Sequence, residues 1–273
     1  MGEENQDLNE ENEYCLQIST LQSTAIKILV EALKDILTDA NFVFNETGIK
    51  LITTDPTKTV LIHMKLGSDK FEKFYCPNQL ICGVNILNLH KLIKTITTSD
   101  TLTLYIKKNN QNKLGIQINN NDKKTQTVYE LNLLDIESDD MKIPPVSFDS
   151  ELSFPSSDFQ KMIRDMVNIG DVIDITSYSK TLKLTCKGDF ASQETVMHET
   201  DELNTISFNN ENNTENIVQG SFSLKYLILF TKCTNLCNLI NIFLKNDYPL
   251  IIQYNVAQLG TIKLCLAPNI DED

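Results

Sequence analysis

Residues 134–149 read Leu-Asp-Ile-Glu-Ser-Asp-Asp-Met-Lys-Ile-Pro-Pro-Val-Ser-Phe-Asp, and they decide how the chain is divided. Asp135, Glu137, Asp139 and Asp140 crowd one side of Met141-Lys142-Ile143-Pro144-Pro145. Consecutive prolines lack backbone donors and hold φ near one value, which disfavours both a helix interior and a central strand. The stretch is therefore expected to be an extended connector between two folded parts.

On its N-terminal side, Ile26, Leu29, Val30, Leu33, Ile36 and Leu37 recur at helical spacing over 24–38, with Ser23 or Thr24 as the candidate N-cap. Strands are expected at 41–45, 49–54 and 59–66, the first two joined by a turn at Asn45-Glu46-Thr47-Gly48. A second helical pattern covers 86–97 through Ile86, Leu87, Leu89, Leu92, Ile93 and Ile96. Alternating segments follow: Leu102, Leu104 and Ile106, then Leu114, Ile116 and Ile118, then a strand over 125–133.

Beyond the connector the pattern starts again. A helix is expected over 156–168, with Phe159, Met162, Ile163, Met166 and Val167 on one face. Strands follow at 171–177, 181–187 and 192–199, an Asn-rich loop at 209–216, a helix over 223–237, and strands at 240–245, 249–256 and 260–266. Helix, strands, helix, strands thus occurs twice. The expectation is two similar α+β domains, 14–133 and 150–268, joined by 134–149 and flanked by acidic tails at 1–13 and 269–273.

The chain has 273 residues and is 41% hydrophobic, enough for two small cores. No apolar run approaches the roughly 20 residues that span a bilayer, and the N-terminus lacks the apolar region of a secretory signal. A soluble, intracellular protein is expected. Seven cysteines, an odd number without a CxxC pair, suit a reducing compartment, with Cys15, Cys82, Cys186 and Cys265 acting as small hydrophobes.

A net charge of −13 argues on its face against binding nucleic acid. Placement changes that. The first 13 residues hold Glu3, Glu4, Asp7, Glu10, Glu11 and Glu13 without a base. The four helical segments carry Lys27 and Lys34, then Lys91 and Lys94 beside His90, then Lys161 and Arg164, then Lys225 and Lys232. Spacings of three or seven put each pair on one helical face. For any one helix the plain interpretation is a solvated surface. Four such stripes in a chain of net charge −13 are a coincidence harder to dismiss.

Catalytic motifs are missing: there is no GxxxxGK[ST], GxSxG or HExxH. His63, His90 and His198 lie in different segments. Cys233 and Cys237, at i and i+4, suit core packing better than a metal site. Asp171 and Asp174 fall on opposite faces of a strand, which does not suit a shared Mg²⁺. Neither a cofactor nor a metal nor an enzymatic activity is expected.

Several stretches stand in a recognisable order and spacing: Val30-Glu31-Ala32-Leu33-Lys34-Asp35; Cys82-Gly83-Val84-Asn85 leading to Lys91-Leu92-Ile93-Lys94; Phe159 through Arg164-Asp165 to Ile169-Gly170-Asp171; Tyr226-Leu227 with Phe230-Thr231-Lys232; and Leu266-Ala267-Pro268 before an acidic end. In these the chain resembles the proliferating cell nuclear antigen family, the eukaryotic-type DNA sliding clamps, over residues 14–273. The resemblance implies a homotrimeric ring of six similar domains, with helices lining a central channel and antiparallel sheets outside (the DNA clamp fold). It implies a processivity factor that encircles duplex DNA and tethers DNA polymerase, clamp loader, nuclease and ligase through short peptide motifs. Carried over by position, the channel cations are Lys27, Lys34, Lys91, Lys94, Lys161, Arg164, Lys225 and Lys232. Met141, Ile143 and Pro144 match one wall of the family's peptide pocket, and Pro249, Cys265, Ala267 and Pro268 the other. Thr54, Lys58 and Thr59 are more polar than the family pattern, and Cys265 stands where an aromatic is expected. Val128, Tyr129 and Leu131 would pair with the segment around Val196 of the next subunit to close the ring. The resemblance places such a protein in the nucleus or at a viral replication site, and an excess of Asn, Ile and Lys suits a large DNA virus or a protist. A subunit of a heterotrimeric checkpoint-type clamp, and a scaffold that has lost DNA binding, are the alternatives.

Overall fold

The computed structural model describes residues 13–137, 141, 143–200, 205–208 and 217–269. The acidic stretch to residue 12, Asp139, Asp140, the expected loop at 209–216 and the acidic end from 270 lie outside the described residues.

In chain order, β1 (Tyr14–Thr20) enters α1 (Ser23–Leu33), followed by β2 (Asp39–Asn45), β3 (Gly48–Thr54) and β4 (Val60–Gly67). After the short β5 (Lys73–Tyr75), β6 (Leu80–Asn85) enters α2 (Ile86–Ile93), followed by β7 (Asp100–Lys107), β8 (Asn110–Asn120) and β9 (Thr125–Asn132). Then β10 (Ser150–Pro155) enters α3 (Ser156–Val167), followed by β11 (Val172–Tyr178), β12 (Thr181–Lys187) and β13 (Ser192–His198). After the short β14 (Ser207–Phe208), β15 (Val218–Ser223) enters α4 (Leu224–Phe230), followed by β16 (Leu239–Leu244), β17 (Leu250–Val256) and β18 (Gly260–Leu266). The repeat is therefore finer than the sequence pattern implies: one strand, a helix and three strands, used four times. The entering strands were not among the expected elements.

Two compact units divide these elements. One takes described residues up to 53, 63–137 and 256–261; the other takes 54–62, the described residues from 141 to 255, and 262–269. In the first unit an antiparallel sheet runs β5-β1-β7-β8-β9, and β2 pairs with β6 on one side and β3 on the other. In the second, one antiparallel sheet runs β13-β12-β11-β15, and β10 pairs with β14 and β16, which in turn pairs with β17. Within each unit the entering strands are exchanged. β1, which leads into α1, pairs with β7, which follows α2; β6, which leads into α2, pairs with β2, which follows α1. The second unit repeats this with β10 on β16 and β15 on β11.

Burial follows the apolar periodicity. α1 buries Ala25, Leu29, Val30, Ala32 and Leu33; α2 buries Ile86, Leu89 and Ile93; α3 buries Phe159, Ile163 and Met166; α4 buries Leu224, Leu227 and Phe230. The strands alternate accordingly, with Ile173, Ile175 and Ser177 of β11 buried between exposed or half-buried neighbours.

The helices end earlier than expected, for local reasons. At the end of α2 the Asp100 carboxylate accepts from the Thr97 amide at 2.7 Å and its hydroxyl at 2.9 Å, an alternative to helical bonding that stops the helix at Ile93 rather than 97. α4 was expected to reach 237 but stops at Phe230, and Thr231–Leu236 form a 3-10 turn. There the Thr231 hydroxyl donates back to the Ile228 carbonyl, and Thr234 to that of Thr231. α1 gives way after Leu33 to a turn through Leu37. Neither Ser23 nor Thr24 caps it. Gln22 is the N-cap residue, without a side-chain bond, and the Ser23 hydroxyl is used elsewhere.

Among the described residues no helix is long and apolar enough to cross a membrane.

Candidate nucleic-acid interface

Each helix buries one face, so its remaining face is where cations can stand. Lys91 and Lys94 on and just past α2, Lys161 and Arg164 on α3, Lys225 on α4 and Lys232 in the 3-10 turn are all exposed. Because of that turn, Lys225 and Lys232 do not share one α-helical stripe. Among the described residues neither Lys161 nor Arg164 is held in an ion pair, and Lys225 Nζ lies 5.5 Å from the centroid of the Tyr226 ring. Lys91 Nζ is 3.5 Å from Asn88 Oδ1.

The first helix differs. Lys34 is its C-cap residue, half-buried, and pairs with Asp35 at 3.0 Å. Lys27 is half-buried as well, and its ammonium donates to the Ile96 carbonyl at 2.6 Å. His90 belongs to α2; burial first, then the Lys34 ammonium, hold its imidazole below the ordinary value. Glu31, Asp35 and Asp165 are exposed as well and dilute the stripes.

The connector is tied at both ends. In the first unit the Leu134 amide donates to the Gly83 carbonyl at 2.8 Å and Asn41 Nδ2 to the Ile136 carbonyl at 3.0 Å. In the second, Phe148 packs on Phe243 and Tyr248, ring centroids 5.2 and 6.0 Å away. Ile143 remains 40% exposed and Pro144 is exposed, whereas Met141, Pro249, Ala267 and Pro268 are half-buried. Cys265 is only 8% exposed, and burial pushes its thiol up to about 11. A backbone bond of 3.0 Å joins Ala267 to Thr59. Asp55 shapes the loop before Thr59: its carboxylate accepts from the amides of Thr57 and Val60 and from the Thr57 hydroxyl, which also meets Tyr226 Oη at 2.9 Å.

β9 and β13 are the outermost strands of their sheets. Val128 on β9 and Val196 on β13 are 48% and 46% exposed, while Tyr129 and Leu131 are half-buried. Phe190, in the turn before β13, is 78% exposed. Sequence reasoning had not singled it out, although an apolar residue in a Gly-Asp-Phe-Ala turn was a visible signal. The Cys233 thiol is buried and pushed up to about 12, and Cys237 is half-buried. Asp171 precedes β11, and Asp174 accepts from the Ser221 hydroxyl.

Paired helices with antiparallel sheets, built from one element plan in two units, define the DNA clamp fold. Comparison with known proteins agrees. Residues 16–142 match the model of the proliferating cell nuclear antigen N-terminal domain, and residues 142–269 that of its C-terminal domain. A probable DNA polymerase sliding clamp of Paramecium bursaria Chlorella virus 1 is 34% identical over 255 residues, covering 92% of this chain and 95% of the viral protein. The chain belongs to the proliferating cell nuclear antigen family and is a DNA sliding clamp.

Proposed function

We propose that three copies of this chain close a ring around duplex DNA and tether a DNA polymerase and other replication proteins to it, without catalysis of their own. The observation that carries this reading is the exposed cations on or beside α2, α3 and α4, joined by the half-buried Lys34 at the end of α1, in a chain of net charge −13. In a ring they would face the phosphates from several directions, each contact weak enough to slide. The set comprises Lys34, Lys91, Lys94, Lys161, Arg164, Lys225 and Lys232; Lys27 is treated below. The edge strands supply a means of closure. β9 of one copy would pair with β13 of the next, placing Val128, Tyr129 and Leu131 against Val196 and covering Phe190, a head-to-tail contact that repeats until the ring closes.

Partner peptides of polymerase, clamp loader, nuclease and ligase would dock beside Met141, Ile143 and Pro144, against Pro249, Ala267 and Pro268 with Cys265 beneath. The kinship to a viral clamp supports work at a viral replication site or in the host nucleus. The test is light scattering at micromolar concentration joined to a retention assay. Three times the chain mass is expected, with retention on circular but not on open linear duplex. A monomer at every concentration overturns the ring. A mass change only on adding a second clamp chain favours the heterotrimeric alternative.

A further inference from the structure

The two units contain the same pair of side-chain contacts, and one of them removes a lysine from the DNA-facing set. The first residue of α1, Ser23, donates its hydroxyl to the Asp100 carbonyl at 2.6 Å, with the Thr97 carbonyl at 3.5 Å. The first residue of α3, Ser156, donates to the Cys237 carbonyl at 2.6 Å, with the Thr234 carbonyl at 3.3 Å. One turn further along each helix stands a long donor. Lys27 Nζ reaches the Ile96 carbonyl at 2.6 Å; Gln160 Nε2 reaches the Thr231 carbonyl at 2.9 Å. Both acceptors lie at or just past the C-terminal end of the partner helix, α2 in one unit and α4 in the other. Carbonyls there lack intrahelical donors, and the helix dipole favours a cation beside them.

We propose that Lys27 is a positioning residue, the counterpart of Gln160, that clasps α1 to the end of α2, and that it takes no part in holding phosphate. Two lines support this. The residue is half-buried and its ammonium is committed to a carbonyl in a short, charge-assisted bond, which would have to break before it could meet DNA. The equivalent position in the second unit uses a neutral amide, so what the position requires is a donor of sufficient reach, not a charge. The clasp sets how Lys34 on α1 stands relative to Lys91 and Lys94 on α2, and Lys27 acts on the interface through them.

Lys27→Gln and Lys27→Met separate the two roles. Both remove the charge, and only Gln keeps the donor. In the full-length protein at fixed concentration, Lys27→Met is expected to melt roughly 3–8 °C below the parent and Lys27→Gln within about 1 °C of it. On immobilised duplex DNA both are expected to keep the parent's salt dependence, whereas Lys34→Met as reference should shallow it. Equal melting temperatures for the Gln and Met variants overturn the clasp, as does a loss of salt dependence in Lys27→Gln matching that of Lys34→Met. The melting comparison stands without the DNA reading. Should Lys34→Met leave the salt dependence unchanged, that reading is at fault, and the clasp is judged on melting alone. If Lys27→Met does not fold, a parent-like Lys27→Gln upholds the clasp, and a Gln variant that melts as low as Lys27→Ala sinks it.

Discussion

Leu134 lies directly over Gly83: its amide bonds the Gly83 carbonyl at 2.8 Å, and a Cβ at position 83 would meet the Leu134 carbonyl at 2.2 Å and the Ile136 side chain at 3.0 Å. Leu134 forms an antiparallel bridge with Gly83, and only a residue without a side chain lets the connector approach β6 this closely. Gly83→Ala is expected to lift residues 134–136 off the sheet and cost about 1–3 kcal/mol. Hydrogen exchange should show a faster Leu134 amide; unchanged protection would mean that the bridge tolerates a methyl group.

Ring closure is expected to depend on Tyr129. Truncation to Ala removes an aromatic from β9, the strand proposed to meet β13, and should raise the dissociation constant at least tenfold. Sedimentation velocity over a dilution series reads this directly. Because Tyr129 is half-buried and on an edge, the monomer should stay folded by circular dichroism.

Peptide docking is expected to depend on Ile143, which is 40% exposed on the connector. Ile143→Asp puts a charge where an apolar anchor would sit and should cost a few kcal/mol, on the order of a hundredfold in affinity for a polymerase-tail peptide. The mass of the assembly should not change. Normal affinity in this variant would show that the pocket lies elsewhere.

Replacing Lys91, Lys94, Lys161 and Arg164 together by Ala should slow loading, reduce processivity and shallow the salt dependence of DNA association. Peptide affinity should persist. Parent-like synthesis across a salt series would reduce the exposed cations to ordinary solvated surface.

Asp55 offers a pH test. Burial raises its pKa, but the hydrogen bonds from Thr57 and Val60 outweigh burial and leave the carboxyl below its ordinary value. A depressed folded pKa means that the unfolded chain takes up protons first. The stabilisation is therefore complete above the unfolded value of about 3.9 and is lost as pH falls through the lower folded one. Asp55→Asn should be less stable by about 1–3 kcal/mol at neutral pH, with the gap narrowing in acid. A gap that does not change with pH would remove the carboxylate from the account.

Much of this fold was legible because helix periodicity survives local noise. Leu29, Val30 and Leu33, or Phe159, Ile163 and Met166, announce their buried faces. The entering strands were harder. β10 alternates Leu152 and Phe154 with Glu151 and Ser153, but it runs straight out of the proline connector and merges with it. β15 has only Val218 and Phe222 buried, around Gly220. The cationic residues were legible as residues, since spacing alone puts them on a face. That Lys27 spends its charge on a carbonyl 69 positions away was not, because a backbone acceptor has no sequence signature. The buried state of Cys265 was equally hidden, for alternation along β18 gives way to the consecutive buried residues Leu264, Cys265 and Leu266.

The strand exchange within each unit has a consequence in time. β1 cannot find its long partner when it is made: Ser19 meets Thr103, a contact spanning 84 positions, and β7 ends only at Lys107. During synthesis at roughly 5–20 residues per second, the first strand waits several seconds or more as an open edge. Loop closure over that span is entropically costly, and contacts of such separation slow folding. The edge of β1 that β7 takes up is thus bare through most of the making of the first unit. That interval is when a nascent clamp is most open to pairing with the wrong chain, including another copy of itself.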